Sequence, residues 1–392
     1  MLHATLRRAL KQVFPWAERS RRPCCAERLV DEVCTAVVAR HGGEFTPAVA
    51  ALGRGRRPLE ACAAVVSHLK LAVSPEQLYA ETSAELADRW GEAAMMPGAA
   101  RLLRWLAAKR IPVALATSTP RDVLELKRAG LGDLYLLFGD AVVAGDDVKA
   151  GKPAPEAYLS AAARLGVPPH ECLAIEDALT GVESARAAGC AVLAVPSLAD
   201  RGAYRGERTT VLASLLDVDL ARFGLPPLRD WVARALPLEP MMRLAGPVVR
   251  GFGRGSKTLG IPTANLCTDA LGPAIAHAAC SGIYICWASV GEAAADGTPP
   301  PVHKGVMSIG VNPFFKDREQ KKTCEPWILH DFGRDFYGEP LRLVVAGYIR
   351  PEADCTRLEA MIAQINDDAD VARAALDLEP FAALRYDSFL RP

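Results

Sequence analysis

The spacing of apolar residues along the chain predicts three kinds of secondary structure in succession. Residues 24–95 carry apolar side chains at helical spacing, for example in LVDEVCTAVVARHGG (residues 29–43), where two glycines end the pattern. Residues 96–221 instead alternate helical segments with short apolar runs such as PVALATST (residues 112–119). Strands that alternate with helices indicate βαβ units and therefore a parallel sheet.

The last part of the chain has a different pattern. Residues 222–240 hold four prolines and predict a linker, with a domain boundary near Pro240. Beyond it, short runs of β-forming residues such as GIYICWASV (residues 282–290) follow one another without a helix between them, which indicates an antiparallel barrel. The segment LEAMIAQINDDADVARAAL (residues 358–376) has helical periodicity, so we expect a helix that lies against the barrel.

Composition and charge narrow the classes of function. The chain has 392 residues, half of them hydrophobic, which allows two or three domains with sizeable cores. Lys plus Arg and Asp plus Glu number 46 each, so there is no excess positive charge to bind nucleic acid. No apolar run reaches the roughly 18 residues that span a bilayer, and we expect no membrane partner. The 11 cysteines include no CxxC pair, which is typical of buried thiols in a reducing compartment.

The first 23 residues form a basic segment. It contains six Lys and Arg residues against one acid, Glu18, and Leu2, Leu6 and Leu10 recur at helical spacing. Such a segment is typical of an organelle transit peptide, but the same pattern fits an ordinary amphipathic helix or an irregular N-terminus, which we favour. We therefore expect a cytoplasmic protein, with a plastid or mitochondrion as the alternative.

One stretch, GPVVRGFGRGSKTLGIPTANL (residues 246–266), has the composition of a site for a polyphosphate and a metal ion. Spaced glycines let backbone N–H groups approach an anion, and basic side chains between them add charge. These residues are Gly251, Gly253, Gly255, Arg250, Arg254 and Lys257. Pro262 favours an extended chain, so Thr263 and Asn265 point to one face and can offer neutral oxygens to a hard cation such as Mg²⁺. The stretch matches neither GxxxxGK[ST] nor a strand–GxGxxG–helix unit, and a basic surface loop is the alternative.

This stretch resembles the signature of riboflavin kinases, and the resemblance extends over about residues 243–390, including VMSIGVNPFF, KTCEPWILH and DFYGEPLRLVVAGYIRPE. The resemblance implies an all-β, six-stranded Greek-key barrel in residues 241–392. It also implies transfer of the γ-phosphoryl of ATP to the 5′-hydroxyl of riboflavin, with Mg²⁺ or another hard divalent cation. That hydroxyl needs a base near it, a role that the resemblance gives to Glu325. The alternative for Glu325 is a strand-end carboxylate paired with Lys321 or Lys322.

The resemblance assigns the remaining contacts by position. Thr263 and Asn265 match the metal ligands. Nucleotide contacts are expected at Arg250, Gly251, Gly253, Gly255, Ser256, Lys257, Thr323 and His330. Contacts to the flavin ring are expected at Leu343, Ala346, Tyr348 and Arg350. His330 has an alternative as a polar residue at a strand end. The expected partners are riboflavin, FMN, ATP and ADP.

The preceding region, about residues 96–221, resembles the haloacid-dehalogenase-like phosphatases, with residues 24–95 as their helical cap. The motifs that carry the resemblance are PVALATST, GKPAPE and CLAIED. The residues that they supply to bind phosphate, stabilise charge and bind Mg²⁺ are Thr117, Ser118, Lys152, Glu176 and Asp177. Each alone can be a helix cap or a surface lysine, but their order and spacing favour the family. Together the two regions resemble plant-type bifunctional proteins in which an FMN phosphatase precedes a riboflavin kinase.

One part of the phosphatase pattern is missing. The first strand of these phosphatases ends in DxDGT, whose first Asp forms an aspartyl-phosphate, whereas the only Asp before Gly42 is Asp31, inside a helical pattern. We therefore expect a Rossmann-like α/β sheet without its first strand, in a domain without phosphatase activity. The alternatives are a truncated or misread N-terminus, a working phosphatase that acts on FMN or a sugar phosphate, and a scaffold or dimerisation module.

Overall fold

The chain divides into two compact units, Met1–Pro227 and Leu228–Pro392, and the division falls inside the predicted linker. The computed structural model describes residues 11–14, 25–92, 95–128, 132–196, 201–250, 261–266, 281–311, 322–352 and 357–391. Among these residues, no helix combines the length and the apolar character that a membrane span requires.

Four helices form the predicted helical region of the first unit. The Thr46 side chain accepts a hydrogen bond from the Val49 N–H (3.4 Å) and the Ser74 side chain accepts one from the Gln77 N–H (3.1 Å), and a proline follows each cap. The apolar faces of the helices meet in one core around Leu29. The helices are α1 (Cys25–Arg40), α2 (Pro47–Gly53), α3 (Pro58–Leu69) and α4 (Pro75–Leu86).

A six-stranded parallel sheet forms the rest of the first unit. Its strands are β1 (Lys11–Phe14), β2 (Val113–Ala116), β3 (Val142–Val143), β4 (Cys172–Glu176), β5 (Ala191–Ala194) and β6 (Thr209–Val211). They lie in the order β3-β2-β1-β4-β5-β6. The crossover helices are α5 (Ala99–Ala108), α6 (Arg121–Arg128), α7 (Glu156–Leu165) and α8 (Leu179–Ala187). Every residue of β2 and β4 is buried, as expected of a parallel sheet, and Thr117 and Asp177 follow these two strands at one edge.

Strand β1 corrects two expectations about the N-terminus. It pairs in parallel with both β2 (Gln12 opposite Val113) and β4 (Lys11 opposite Cys172), so the first strand is present in the centre of the sheet. The expectation that this strand is missing is therefore wrong, and residues 11–14 are not helical or irregular. The strand is only four residues long, and pairing with two buried strands outweighs the helical spacing of the leucines around it. The rest of the fold class is confirmed.

The second unit is an antiparallel barrel with a helix at its C-terminal end, as predicted. Its elements are β7 (Leu236–Val249), β8 (Asn265–Leu266), β9 (Gly282–Val290), β10 (Val302–Val311), β11 (Lys322–Ile328), β12 (Pro340–Arg350) and α9 (Leu358–Ala375). The order β11-β10-β9-β12-β7-β8 places three consecutive strands side by side and returns β12 to lie beside β9, which is a Greek key. The Ala264 N–H donates to the Pro326 carbonyl at 2.8 Å and brings the chain before β8 against β11, which nearly closes the barrel.

Aromatic residues and the C-terminal segment fill and cover the barrel. Tyr284 and Tyr348 meet edge to face inside it, with ring centroids 5.4 Å apart. The Trp287 indole N–H donates to the Phe381 carbonyl at 2.9 Å. Helix α9 packs on the outside of the barrel, where Lys304 of β10 donates to the carbonyl of Arg373 at 2.8 Å.

Candidate active site

A cavity of about 250 Å³ lies between the barrel and α9. It receives side chains from the segment before β8, from β9, β10, β11 and β12, and from one face of α9. Its lining residues are Ile261, Thr263, Ile283, Val306, Met307, Ser308, Glu325, Trp327, Arg350, Glu352, Met361, Gln364, Ile365 and Asp368. Seven of these residues are apolar and seven are polar or charged, and the polar groups converge from several elements, as they do in small-molecule sites.

The hydrogen bond between Ala264 and Pro326 brings two predicted site residues together. Thr263 precedes the donor, Glu325 precedes the acceptor, and both side chains line the cavity. Within the described part of the chain, the Glu325 carboxylate makes no hydrogen bond or ion pair. Lys321 and the side chain of Lys322 lie outside the described residues, so the alternative pairing of Glu325 with a lysine stays open. An unpaired, half-buried carboxylate at a cavity wall is suited to accept a proton.

Thr263 and Asn265 have the alternation expected of an extended segment. Both are partly exposed, while Ala264 and Leu266 are buried. Their side-chain oxygens therefore lie on one face at the barrel edge. Among the described residues there is no cluster of three or more His, Cys, Asp or Glu that could hold a metal ion. The Thr263 hydroxyl and the Asn265 amide offer neutral oxygens, which suit a hard cation whose shell phosphate oxygens complete.

Arg350 and Asp368 form an ion pair in the wall of the cavity. The guanidinium donates from Nε to Oδ1 at 2.9 Å and from Nη2 to Oδ2 at 2.6 Å. The Asp368 side chain is buried, and this burial raises the pKa of its carboxyl although Arg350 opposes the shift. Arg350 is the one predicted flavin contact that lines the cavity. The other three, Leu343, Ala346 and Tyr348, are buried in the barrel core, so their contact with flavin stays a prediction.

The predicted nucleotide contacts are spread along the barrel. Thr323 donates to the carbonyl of Gly310 at 3.5 Å, and the Arg250 guanidinium lies 5.1 Å from the ring centroid of Tyr337. His330 stacks on His303 with ring centroids 4.0 Å apart. Burial and the neighbouring His330 lower the pKa of His303. Five other predicted contacts lie outside the described residues: Gly251, Gly253, Gly255, Ser256 and Lys257.

His330 and Glu325 are well separated along the same stretch of chain. Glu325 lies within β11, whereas His330 follows two residues after the end of this strand at Ile328, so a ligand that contacts both would have to extend along β11. The remaining cavity residues were not predicted from the sequence. For those on α9 a signal existed, because Met361, Gln364, Ile365 and Asp368 recur at the spacing of one helix face. Ser308 and Glu352 offer no such pattern.

The first unit contains a separate cavity of about 380 Å³ at the carboxyl edge of its sheet. All five predicted phosphatase residues line it, so the structure brings Thr117, Ser118, Lys152, Glu176 and Asp177 together. Residues of the cap close over this edge: Ser118 donates to the Gly55 carbonyl at 2.8 Å and Thr180 donates to the Arg54 carbonyl at 3.2 Å.

The Glu176 carboxylate is fully used in hydrogen bonds. Its Oε1 accepts from Lys152 Nζ at 2.6 Å and from the Tyr158 hydroxyl at 2.9 Å. Its Oε2 accepts from the backbone N–H groups of Asp177 (2.8 Å) and Ala178 (3.1 Å). Burial opposes ionisation, but the Lys152 ammonium and these donors hold the pKa of Glu176 below its ordinary value. Burial and the same carboxylate raise the pKa of Tyr158 well above its usual range.

Gly181 is required for this arrangement. A Cβ at this position would lie 1.8 Å from Glu176 Oε1, so no other residue type fits without displacing the carboxylate. Tyr158 was not predicted from the sequence, since a tyrosine within a helical pattern carries no signal of its partner. Its hydroxyl and the glycine together fix Glu176 against Lys152.

Comparisons with known proteins agree with this division. The family model of riboflavin kinases matches residues 238–376, and that of haloacid dehalogenase-like hydrolases matches residues 25–189. The chain is 42% identical over 337 residues to the bifunctional riboflavin kinase/FMN phosphatase of Arabidopsis thaliana, with 86% of each chain covered. It is 45% identical over 146 residues to the riboflavin kinase of Mus musculus, covering 37% of this chain and 88% of that protein. It is also 37% identical over 211 residues to (DL)-glycerol-3-phosphatase 1, mitochondrial, of Arabidopsis thaliana, covering 52% of this chain and 70% of that protein.

Proposed function

We propose that this chain, which belongs to the family of bifunctional riboflavin kinase/FMN phosphatases, makes FMN from riboflavin and ATP in the barrel cavity. Its riboflavin kinase activity is supported by the family match and by relatives at 42–45% identity. The observation that carries the proposed site is the convergence of Thr263 and Glu325 on one cavity, joined by the hydrogen bond between Ala264 and Pro326.

Glu325 is the general base in this proposal. It removes the proton of the 5′-hydroxyl of riboflavin while that oxygen attacks the γ-phosphorus of ATP. The new O–P bond forms as the bond between the γ-phosphorus and the bridging oxygen breaks, and ADP leaves with the electron pair. The carboxylate has an oxygen available for this proton because no described residue binds it.

The rest of the catalysis is positioning and neutralisation of phosphate charge. The Thr263 hydroxyl and the Asn265 amide oxygen would hold Mg²⁺ or a similar hard cation, which, when bound, neutralises phosphate charge. The apolar side chains of Ile283, Val306 and Trp327 suit the flat flavin ring. ATP would run along β11, with its γ-phosphate near Glu325 and its base near His330.

The first unit is proposed to have no phosphatase turnover. Strand β1 is followed in the sequence by Pro15, Trp16 and Ala17, so no Asp stands where the family's nucleophile follows this strand. Glu176 is engaged by Lys152 and Tyr158. The second candidate function, hydrolysis of FMN, is favoured by the name of the bifunctional relative, which covers 86% of this chain. A third, a scaffold or dimerisation module, is compatible with the well-packed core.

Two assays test these proposals on the purified full chain. FMN should form from riboflavin and ATP in the presence of Mg²⁺, and chelation of the metal should stop it. A folded chain that forms no FMN would contradict the kinase proposal. In the second assay, FMN without ATP should release no inorganic phosphate. Release that the Asp177→Ala variant abolishes would favour the second candidate function.

A further inference from the structure

One face of α9 forms a wall of the barrel cavity. Met361, Gln364, Ile365 and Asp368 all line it, at spacings of three, four and seven residues from the first. Three of these side chains are apolar or neutral. Asp368 is the exception, a carboxylate with 2% exposure on an otherwise uncharged helix face. Burial of a carboxylate costs free energy unless its charge is paired and its oxygens accept hydrogen bonds, so the partners of Asp368 indicate its role.

Asp368 immobilises a cavity residue of the neighbouring strand. It binds Arg350 through two parallel hydrogen bonds of 2.9 and 2.6 Å, and Gln364 hydrogen-bonds the same carboxylate. A third bond runs from Arg350 Nη1 to the Pro351 carbonyl at 3.0 Å. The guanidinium is therefore held by its fork on one side and by the backbone on the other. A planar guanidinium held in this way has one orientation relative to the cavity.

The adjacent residue provides a matched comparison. Asp367 also accepts two hydrogen bonds from one arginine, from Arg234 Nη1 to Oδ1 at 2.9 Å and from Nη2 to Oδ2 at 2.6 Å. That pair is exposed, with 66% of the Arg234 side chain and 42% of the Asp367 side chain accessible, and neither residue lines the cavity. The Arg350–Asp368 pair has corresponding exposures of 21% and 3%. Two neighbouring aspartates thus tie α9 to the barrel by the same chemistry, and only one does so at the cavity.

We propose that Asp368 is a positioning residue for the flavin substrate: it fixes Arg350 in the cavity wall so that riboflavin meets a preformed surface. The inference rests on the proposed function, because it takes this cavity as the riboflavin site. Without Asp368, Arg350 regains its rotamer freedom, and riboflavin must order it on binding. Loss of the two hydrogen bonds to Asp368 also leaves the positive charge of Arg350 without its partner in a cavity wall that would face the uncharged flavin ring. Both effects weaken riboflavin binding specifically, since the metal and nucleotide residues lie on other elements.

The test compares Asp368→Asn with Asp367→Asn in the full chain. Each change removes one negative charge from α9 and one bidentate pair while it keeps the side-chain shape. For Asp368→Asn we expect the KM for riboflavin to rise by about tenfold or more, as displaced positioning contacts commonly cause, with the KM for ATP little changed. For Asp367→Asn we expect both values to stay at the wild-type level. Arg350→Lys, which keeps the charge but loses the fork, should resemble Asp368→Asn.

Equilibrium binding of riboflavin, read from flavin fluorescence without ATP, separates this inference from the kinase proposal. It should weaken in Asp368→Asn and Arg350→Lys and stay unchanged in Asp367→Asn. A wild-type chain that binds riboflavin but makes no FMN would contradict the proposed function, while the binding comparison would still decide the role of Asp368. Equal losses for riboflavin and ATP in Asp368→Asn would overturn the inference in favour of a general structural role. Wild-type riboflavin affinity in that variant would overturn it outright.

Discussion

The two cavities each contain a glutamate that sequence motifs assign to chemistry, and the structure surrounds these glutamates differently. In the first unit, Glu176 is 2% exposed, and four donors occupy its two oxygens. In the barrel, Glu325 is half-buried beside a cavity, and it makes no hydrogen bond or ion pair within the described residues. A carboxylate whose oxygens all accept hydrogen bonds has little capacity to bind a further proton or ligand. A carboxylate without such partners at a cavity wall can bind either one.

From this difference we expect a structural role for Glu176 and a catalytic role for Glu325. Glu176 stabilises the first unit through Lys152, and its removal should affect folding. The Glu325 carboxylate makes no hydrogen bond or ion pair within the part of the chain that the structure describes, and its removal should affect turnover. Substitution of a glutamate in each unit therefore tests the comparison: the change in the first unit should reduce stability, and the change in the barrel should reduce turnover.

The largest expected effect is on turnover in Glu325→Gln. Glutamine keeps the shape but does not accept the hydroxyl proton, so kcat should fall by about 10²–10⁴-fold, the usual range for a lost general base. The free energy of unfolding should stay unchanged because the Glu325 carboxylate makes no hydrogen bond or ion pair with any residue that the structure describes. The matched control is Glu292→Gln, an exposed carboxylate paired with Arg342 on the same barrel. A variant that keeps more than about a third of the wild-type kcat is too active for a lost base, and Glu325 would then have another role.

The next largest effect is on stability in Lys152→Met. This change leaves the buried charge of Glu176 without its cation, and breaking one partner of such a pair typically costs about 3–5 kcal/mol. Urea unfolding of the full chain should show the loss in the transition of the first unit, with riboflavin kinase activity retained in native buffer. Lys149→Met, an exposed lysine of the same loop, should have little effect. If Lys152→Met and Lys149→Met unfolded at the same urea concentration, the ion pair would not stabilise the first unit.

A smaller effect is expected on the metal response in Asn265→Ala. If the amide oxygen helps to hold the cation, the Mg²⁺ concentration for half-maximal activity should rise by about 10–100-fold, the range seen when metal-site partners are lost. Riboflavin affinity should be unchanged. Asn366→Ala, an exposed asparagine on α9, serves as the control. A collapse of riboflavin affinity with an unchanged metal response would place Asn265 in the flavin site instead.

The smallest expected effect is on the acid dependence of stability. The pKa of Glu176 lies below its ordinary value of 4.5 in the folded chain, so below that pH the unfolded chain binds more protons than the folded one. The stability that Glu176 contributes is therefore complete above this pH and is lost as the pH falls through the folded pKa. Glu176→Gln should show a shallower decline of unfolding free energy below pH 4.5, whereas the exposed control Glu183→Gln should follow the wild type. Parallel declines in all three proteins would contradict this linkage.

Much of the architecture could be predicted because it depends on local pattern. Helical spacing marked the cap and α9, and alternation of apolar runs with helices marked the parallel sheet. Strand β1 could not be predicted in this way. Its four residues, Lys11–Phe14, become a strand only because β2 and β4 lie on either side of them, which is tertiary information.

The candidate sites show the same limit. Motifs identified Thr263 and Glu325, but their meeting depends on a hydrogen bond between residues distant in the sequence, Ala264 and Pro326. The helical spacing of apolar residues in α9 predicted that one side of this helix is buried, but it did not predict that this side lines a cavity. Tyr158, which completes the shell of Glu176, carried no signal at all.

The most direct test of the whole account is the fate of FMN made by the full chain itself. Riboflavin, FMN and inorganic phosphate are followed over time after a limiting amount of ATP is added with Mg²⁺. We expect FMN to accumulate until ATP is consumed and then to stay constant, without release of phosphate. A return of FMN to riboflavin with stoichiometric phosphate, abolished by Asp177→Ala, would contradict this expectation, because the first unit would then be a working phosphatase despite its engaged Glu176.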